Sequence, residues 1–226
     1  AEDLKPNRLE AAKDVAAEFI NGRPNDNIGI TLFAGETFTQ CPLTVDHAVL
    51  LDMIHNIKCG LITDGTAVGM GIANAVTRLK DSKAKSKVII LLTDGTNNKG
   101  DISPMTAAEI AKSFGIRVYT IGVGTNGMAP YPYPVGNTVQ YVSMPVEIDE
   151  KTLTEIAGTT DGNYFRATSN SKLKEVYEEI DKLEKTKLNV KEYSKRDEEY
   201  HWFALAAFLC VLLEVLLRNS VLKKIP

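Results

Sequence analysis

Histidine, cysteine clusters and any excess of one charge are scarce in this 226-residue chain, and each scarcity excludes a class of function. Basic and acidic residues number 26 and 29, a formal net charge of −3, so there is no electrostatic case for nucleic acid. The three cysteines, Cys41, Cys59 and Cys210, lack metal-ligand spacing. Cys210 lies in an apolar run, and nothing in the spacing of Cys41 and Cys59 commits them to a disulfide. Among the three histidines, His47 and His55 share one expected helix and His201 lies far along the chain. No triad or metal trio can be assembled from them. The chain opens at Ala1 without a signal-peptide pattern, which reads as a fragment or a processed piece.

What is plentiful is apolar surface near the end. Residues 200–217 read YHWFALAAFLCVLLEVLL, followed by a tail carrying Arg218, Lys223 and Lys224. At ~1.5 Å per residue such a helix measures about 27 Å, close to the ~30 Å hydrocarbon layer of a bilayer. Tyr200 and Trp202 mark one end, where amphipathic rings favour the headgroups. A buried C-terminal helix fits less well, because every face of the run is apolar. Glu214 lies one turn from Arg218 and can pair there or snorkel. The expected organisation is therefore a domain at 1–189, a charged linker at 190–199, a transmembrane helix at 200–217 and a basic tail at 218–226. Basic residues flank the run at equal density on both sides, so charge alone does not orient it.

Upstream, helical stripes are expected at 8–20, 45–57, 67–79, 106–114, 149–157 and 171–188. Strands are expected at 28–34, 87–93, 117–123 and 163–167, with a short hairpin return at 36–40. Residues 124–144, rich in proline and glycine, read as a surface loop. KVIILLT at 87–93 is the strongest strand, a continuous apolar run of the kind buried on both faces of a parallel sheet. Strands alternating with helices imply an α/β fold with a doubly wound, mostly parallel sheet and helices on both faces. Ligands in such sheets bind beyond the carboxyl ends of the strands.

The tetrapeptide TDGT occurs twice, at 63–66 and 93–96. The second copy ends the strongest strand, so Asp94 projects from the carboxyl edge. The first leads into the helix beginning near Ala67, placing the Thr66 hydroxyl at a helix entrance, where it can cap the helix or ligate a cation. One carboxylate and one hydroxyl suit a hard ion such as Mg²⁺, which keeps several waters and takes few protein ligands. Each copy alone reads equally as a turn or a cap.

Several runs together carry a resemblance. PNRLEAAK (6–13), IGITLFAGETFTQCPLT (28–44), DGTAVGMGI (64–72), VIILLTDGTNNKGDISP (88–104), GIRVYTIGVG (115–124), GNYFRAT (162–168) and the closing VLKKIP are similar to the von Willebrand factor A (VWA) domain. Within it they resemble the Bat-type, aerotolerance-associated membrane proteins of bacteria. The resemblance implies a metal-ion-dependent adhesion site, MIDAS, with ligands from an upstream DxSxS loop, a threonine and an aspartate. Carried over, the threonine is Thr66 and the aspartate is Asp94. DxSxS and the first, central strand of the fold have no counterpart in this chain, so Mg²⁺ or Mn²⁺ binding is expected to be weak or absent in it. The resemblance further implies a binding module in the bacterial inner membrane, its domain periplasmic, whose cation takes a carboxylate from a partner protein. Other Bat proteins and a MoxR-type AAA+ ATPase are the implied companions in envelope maintenance.

Two rival readings stay open at this stage. One is a metal-independent assembly scaffold. The other is a haloacid-dehalogenase-like phosphatase, whose DGT motif is similar. Those enzymes place a nucleophilic aspartate two residues before the second one, and here those positions hold Ile62 and Leu92. The segment APYPYP at 129–134 is a candidate second contact surface or a rigid solvated loop.

Overall fold

In the computed structural model, the amphipathic stretch that opens the chain forms helix α1 (Arg8–Asn21). Asn7 caps it, its side chain accepting the Glu10 N–H at 2.9 Å. The structure describes residues 1–125, 127–135, 138–194 and 200–220. After α1 come β1 (Ile28–Phe33), β2 (Thr37–Thr44), α2 (His47–His55), α3 (Val68–Leu79), β3 (Lys87–Thr93), α4 (Pro104–Ser113) and β4 (Ile116–Val123). They are followed by β5 (Met128–Val135), β6 (Thr138–Pro145), α5 (Glu150–Thr159), β7 (Tyr164–Ala167), α6 (Asn170–Ser194) and α7 (Tyr200–Ser220). Residues 1–184 form one compact unit and 185–226 a second.

The expected parallel sheet is present in its middle and interrupted beside it. β3, β4 and β7 pair in parallel, in the order β3-β4-β7, while β1 and β2 form a separate antiparallel pair. Among the described residues β1 pairs with β2 alone and β3 with β4 alone, so each keeps a free edge where the resemblance expects a central strand. Two helices hold the ladders together instead. α3 packs on β1, β2 and β3. In α1, Ala11 and Val15 lie against Tyr119 and Ile121 of β4, whereas Ile20 joins Leu50 and Ile54 of α2 over Ile28 and Ile30 of β1.

Burial follows the apolar stripes. Ile72 and Val76 of α3, Ala107 and Ala111 of α4 and Ile156 of α5 cover one face of β3-β4-β7 through Ile89, Leu91 and Val118. Leu173, Val176 and Ile180 of α6 join α1 on the other. Each fully buried aliphatic side chain contributes about 1.5–3 kcal/mol. Glu184, among the charged residues of α6, is buried. Its carboxylate accepts from Tyr119 Oη at 2.6 Å and Ser86 Oγ at 2.9 Å and pairs with Arg117, pinning α6 to the sheet. Burial pushes the Tyr119 phenol up, and the hydrogen bond to Glu184 adds to the shift.

The region expected to be a loop at 124–144 is a hairpin, β5 pairing antiparallel with β6. Prolines fail to break it because of where they fall. The Gly127 carbonyl faces the β6 side, accepting Val146 N–H at 2.8 Å, and the Pro130 carbonyl faces away, accepting Glu2 N–H at 3.0 Å. Positions 130, 132 and 134 thus share the outward parity, and their missing N–H groups lie on the open rim and not on the ladder. β2 likewise runs on to Thr44, beyond the short return expected. The apolar run at 200–217 is helical within α7. Among the described residues, no helix is long and apolar enough to cross a membrane, so the spanning expectation rests on sequence.

A methyl group at Gly69 in α3 would come within 2.0 Å of the Ile102 carbonyl oxygen, so helix and loop touch through backbone alone. Gly69→Ala is expected to destabilise the chain by about 3 kcal/mol, read as a lower urea midpoint. An unchanged midpoint would contradict this packing.

Candidate metal centre at the carboxyl edge

Three loops meet beyond the carboxyl ends of β1 and β3. The first is the β1–β2 turn, where Gly35 N–H donates to the Thr63 carbonyl at 2.8 Å and Ala34 accepts Ala67 N–H at 2.7 Å. A methyl at Gly35 would meet the Thr63 and Asp64 carbonyl oxygens at 2.8 Å, so glycine permits this approach. The second is the 63–67 loop and the third the segment from Asp94 to Lys99. These two are laced at Thr66, whose N–H donates to Asn98 Oδ1 at 2.9 Å. The Thr66 carbonyl accepts Asn98 N–H at 2.9 Å and Lys99 N–H at 3.3 Å.

This lacing brings the loop that carries Thr66 against the loop that carries Asp94. The Thr66 hydroxyl lies 3.2 Å from where a methyl on Gly95, the residue after Asp94, would sit. It does not cap α3, whose N-cap position is Ala67, with no side-chain cap. The Asp94 side chain is 51 % exposed at the rim. The candidate oxygens are those of Asp94 and Thr66; Asn97, in the same loop as Asp94, has a buried Oδ1 without a hydrogen-bond partner. Such hard donors fit a small divalent cation that retains water. They form no closed cage: among the described residues, no three His, Cys, Asp or Glu side chains cluster.

A cationic side chain already touches the carboxylate. Arg8, buried at the start of α1, donates from Nη1 to Asp94 Oδ2 at 3.0 Å. Its Nε and Nη2 fork onto the two oxygens of Asp3, each at 2.7 Å. Asp3 also accepts from the Thr125 N–H at 2.8 Å and hydroxyl at 3.2 Å. Burial alone would raise the Asp3 pKa. The hydrogen bonds from Arg8 and Thr125 outweigh it and hold the carboxyl well below the usual range. Gly124 adopts φ +144°, and a methyl there would sit 2.8 Å from Arg8 Nη2, so a side chain would evict the guanidinium. Overhead is Tyr131 of β5. Burial, and then the negative field of Asp94, pushes its phenol above the ordinary value. Tyr141 of β6 donates to Glu2 Oε2 at 3.1 Å, holding the hairpin on the N-terminal segment.

Sequence reasoning missed Asn98, Arg8, Asp3 and Thr125. Arg8 sits in the PNRLEAAK run, where helical periodicity accounted for it, and no spacing links it to residues 86 positions away. Asn98 carried a local signal: it closes the second TDGT loop, a place where side-chain amides bind backbone.

A family model described as the von Willebrand factor type A domain matches residues 2–179. Among solved structures, BatB of Bacteroides thetaiotaomicron, titled a conserved hypothetical protein, is 34% identical with a TM-score of 0.70, covering 82% of this chain and 92% of that one. An aerotolerance-related membrane protein of Bacteroides fragilis is 31% identical with a TM-score of 0.70, covering 80% and 90%. Proximal thread matrix protein 1 of the mussel byssus, solved with zinc in its MIDAS motif, is 25% identical with a TM-score of 0.61, covering 79% and 41%. The chain spans 56–64% of the length of the first three curated relatives it matches, which are 27–31% identical.

The Arg8–Asp3 pair makes an acid-sensitive joint. Because the folded-state pKa of Asp3 lies below its unfolded value of about 3.9, its contribution is complete above that pH and lost as pH falls below it. Asp3→Ala, which leaves Arg8 buried without its main partner, is expected to cost about 3 kcal/mol at pH 7 in urea unfolding. The variant is also expected to lose stability less steeply than the parent between pH 5 and pH 2.5; parallel curves would exclude the role given to Asp3.

Proposed function

Because the chain belongs to the von Willebrand factor type A domain family, we propose that it is a binding module that docks a protein partner through a divalent cation at Thr66 and Asp94. The observation that carries this reading is the packing of the Thr66 hydroxyl on Gly95, with Asn98 clamping the two loops. Thr66 and Asp94 would hold the ion, Mg²⁺ or Mn²⁺, with water completing most of its shell. Bound there, it supplies an open coordination position for a carboxylate of the partner. The surrounding residues fix the oxygens: Asn98 sets the height of Thr66, and Arg8 orients the Asp94 carboxyl. The fold family favours binding over catalysis, and no aspartate stands two residues before Asp64 or Asp94 to act as a phosphatase nucleophile.

The setting is proposed from similarity. The chain works, in this reading, at the bacterial inner membrane with its domain on the periplasmic side, beside other Bat proteins and a MoxR-type ATPase; similarity to a relative described as an aerotolerance-related membrane protein supports the membrane setting. The apolar run within α7, with its aromatic and basic flanks, is the proposed tether. A metal-independent scaffold is the second reading, and the Arg8–Asp94 bond favours it, since that carboxylate already has a cationic partner.

Isothermal titration of Mg²⁺ into the 226-residue chain in detergent separates the two. With only these ligands present the expected result is a weak, millimolar-range, EDTA-reversible heat that Asp94→Ala abolishes and Thr66→Ala weakens about tenfold, the loss of one ligand. Heat indifferent to Asp94→Ala, or none at all, would leave the scaffold. Membranes washed at alkaline pH with carbonate are expected to retain the chain; its release would rule out the tether.

A further inference from the structure

Arg8 is the one feature of the site that the proposed cation chemistry does not explain. A carboxylate has two oxygens, and Arg8 Nη1 holds Oδ2 of Asp94 at 3.0 Å. The guanidinium has little room to yield. Both Asp3 oxygens grip it at 2.7 Å, the Asp3 side chain is only 2% exposed, and Thr125 holds Asp3 in turn. Behind Nη2 the backbone at Gly124 closes the space. One of the two Asp94 oxygens therefore already accepts a charged hydrogen bond, and any ion at that carboxylate shares it with a positive charge.

Resting on the cation reading above, we propose that Arg8 is a built-in counter-cation that sets the affinity of the site. It neutralises Asp94 in the ion-free protein and repels a divalent ion across the shared carboxylate. It also fixes the rotamer of Asp94, so the remaining oxygen stays pointed while the affinity stays low. The site then holds its ion firmly only when a partner's carboxylate adds the negative charge that Arg8 has cancelled. Ion and partner bind as one event, by linkage. Arg8 is a positioning residue in this scheme and ligates nothing.

Mg²⁺ titration of the full chain and three variants tests it. Arg8→Gln is expected to bind Mg²⁺ about tenfold more tightly than the parent, Arg8→Lys to stay within about twofold of it, and Asp94→Asn to lose binding. If Arg8→Gln binds no better than the parent while Asp94→Asn still abolishes the heat, the affinity-setting role is wrong and the cation reading survives. If no variant, Arg8→Gln included, shows heat that depends on Asp94, the cation reading itself is wrong and this inference falls with it. Should Arg8→Gln fail to fold, the parent protein decides. On Mg²⁺ addition, the Arg8 side-chain Nε–Hε resonance is expected to shift with the midpoint of the calorimetric curve, and a stationary resonance overturns the proposal.

Discussion

The fork of Arg8 onto Asp3 is the interaction on which the carboxyl edge depends. It draws the N-terminal segment against the loop after β4, through Thr125, and simultaneously against the end of β3, through Asp94. Three parts of the chain far apart in sequence meet at one guanidinium. The bidentate geometry suits a nearly buried pair, because both Asp3 oxygens and all three donor faces of the guanidinium are satisfied. The seat of the β5–β6 hairpin on Glu2 adjoins that joint.

Much of the framework was legible in the sequence because it is set locally. α3, β3, β4 and α5 fall within a residue or two of their expected spans, since their apolar periods and caps, such as Asp149 accepting Thr152 N–H, act over a few residues. The rim was legible only where a strand end announced it. Asp94 and Thr66 each sit at a predictable junction, while the hydrogen bonds that lace their two loops together are ones no local pattern encodes. Glu184 shows the same limit. Nothing in the helical period of 171–188 singles it out, and only the tertiary meeting with Arg117, Tyr119 and Ser86 buries it.

The two ladders illustrate how a sheet can be held by its covering layers. With no strand pairing β1 to β3 among the described residues, cohesion across that seam passes to α1 on one face and α3 on the other. Each spans both ladders through apolar side chains, so the seam is bridged by non-directional burial where hydrogen bonds would ordinarily run. The close fit at Gly71, where a methyl would lie 2.9 Å from the Phe33 ring of β1, accords with this duty.

The misread hairpin has a different lesson. Proline was taken as a sign of irregular chain, yet every proline of β5, and Pro145 of β6, falls on the outward parity. From Pro130 to Pro134 one rim of the ribbon consequently has no N–H donors, while the other still carries the amides of Val139, Tyr141 and Ser143. A rim that offers carbonyls but hardly any N–H groups is a poor template for a further strand, so strand addition on the β5 side is blunted by the same prolines that were read as chain breakers.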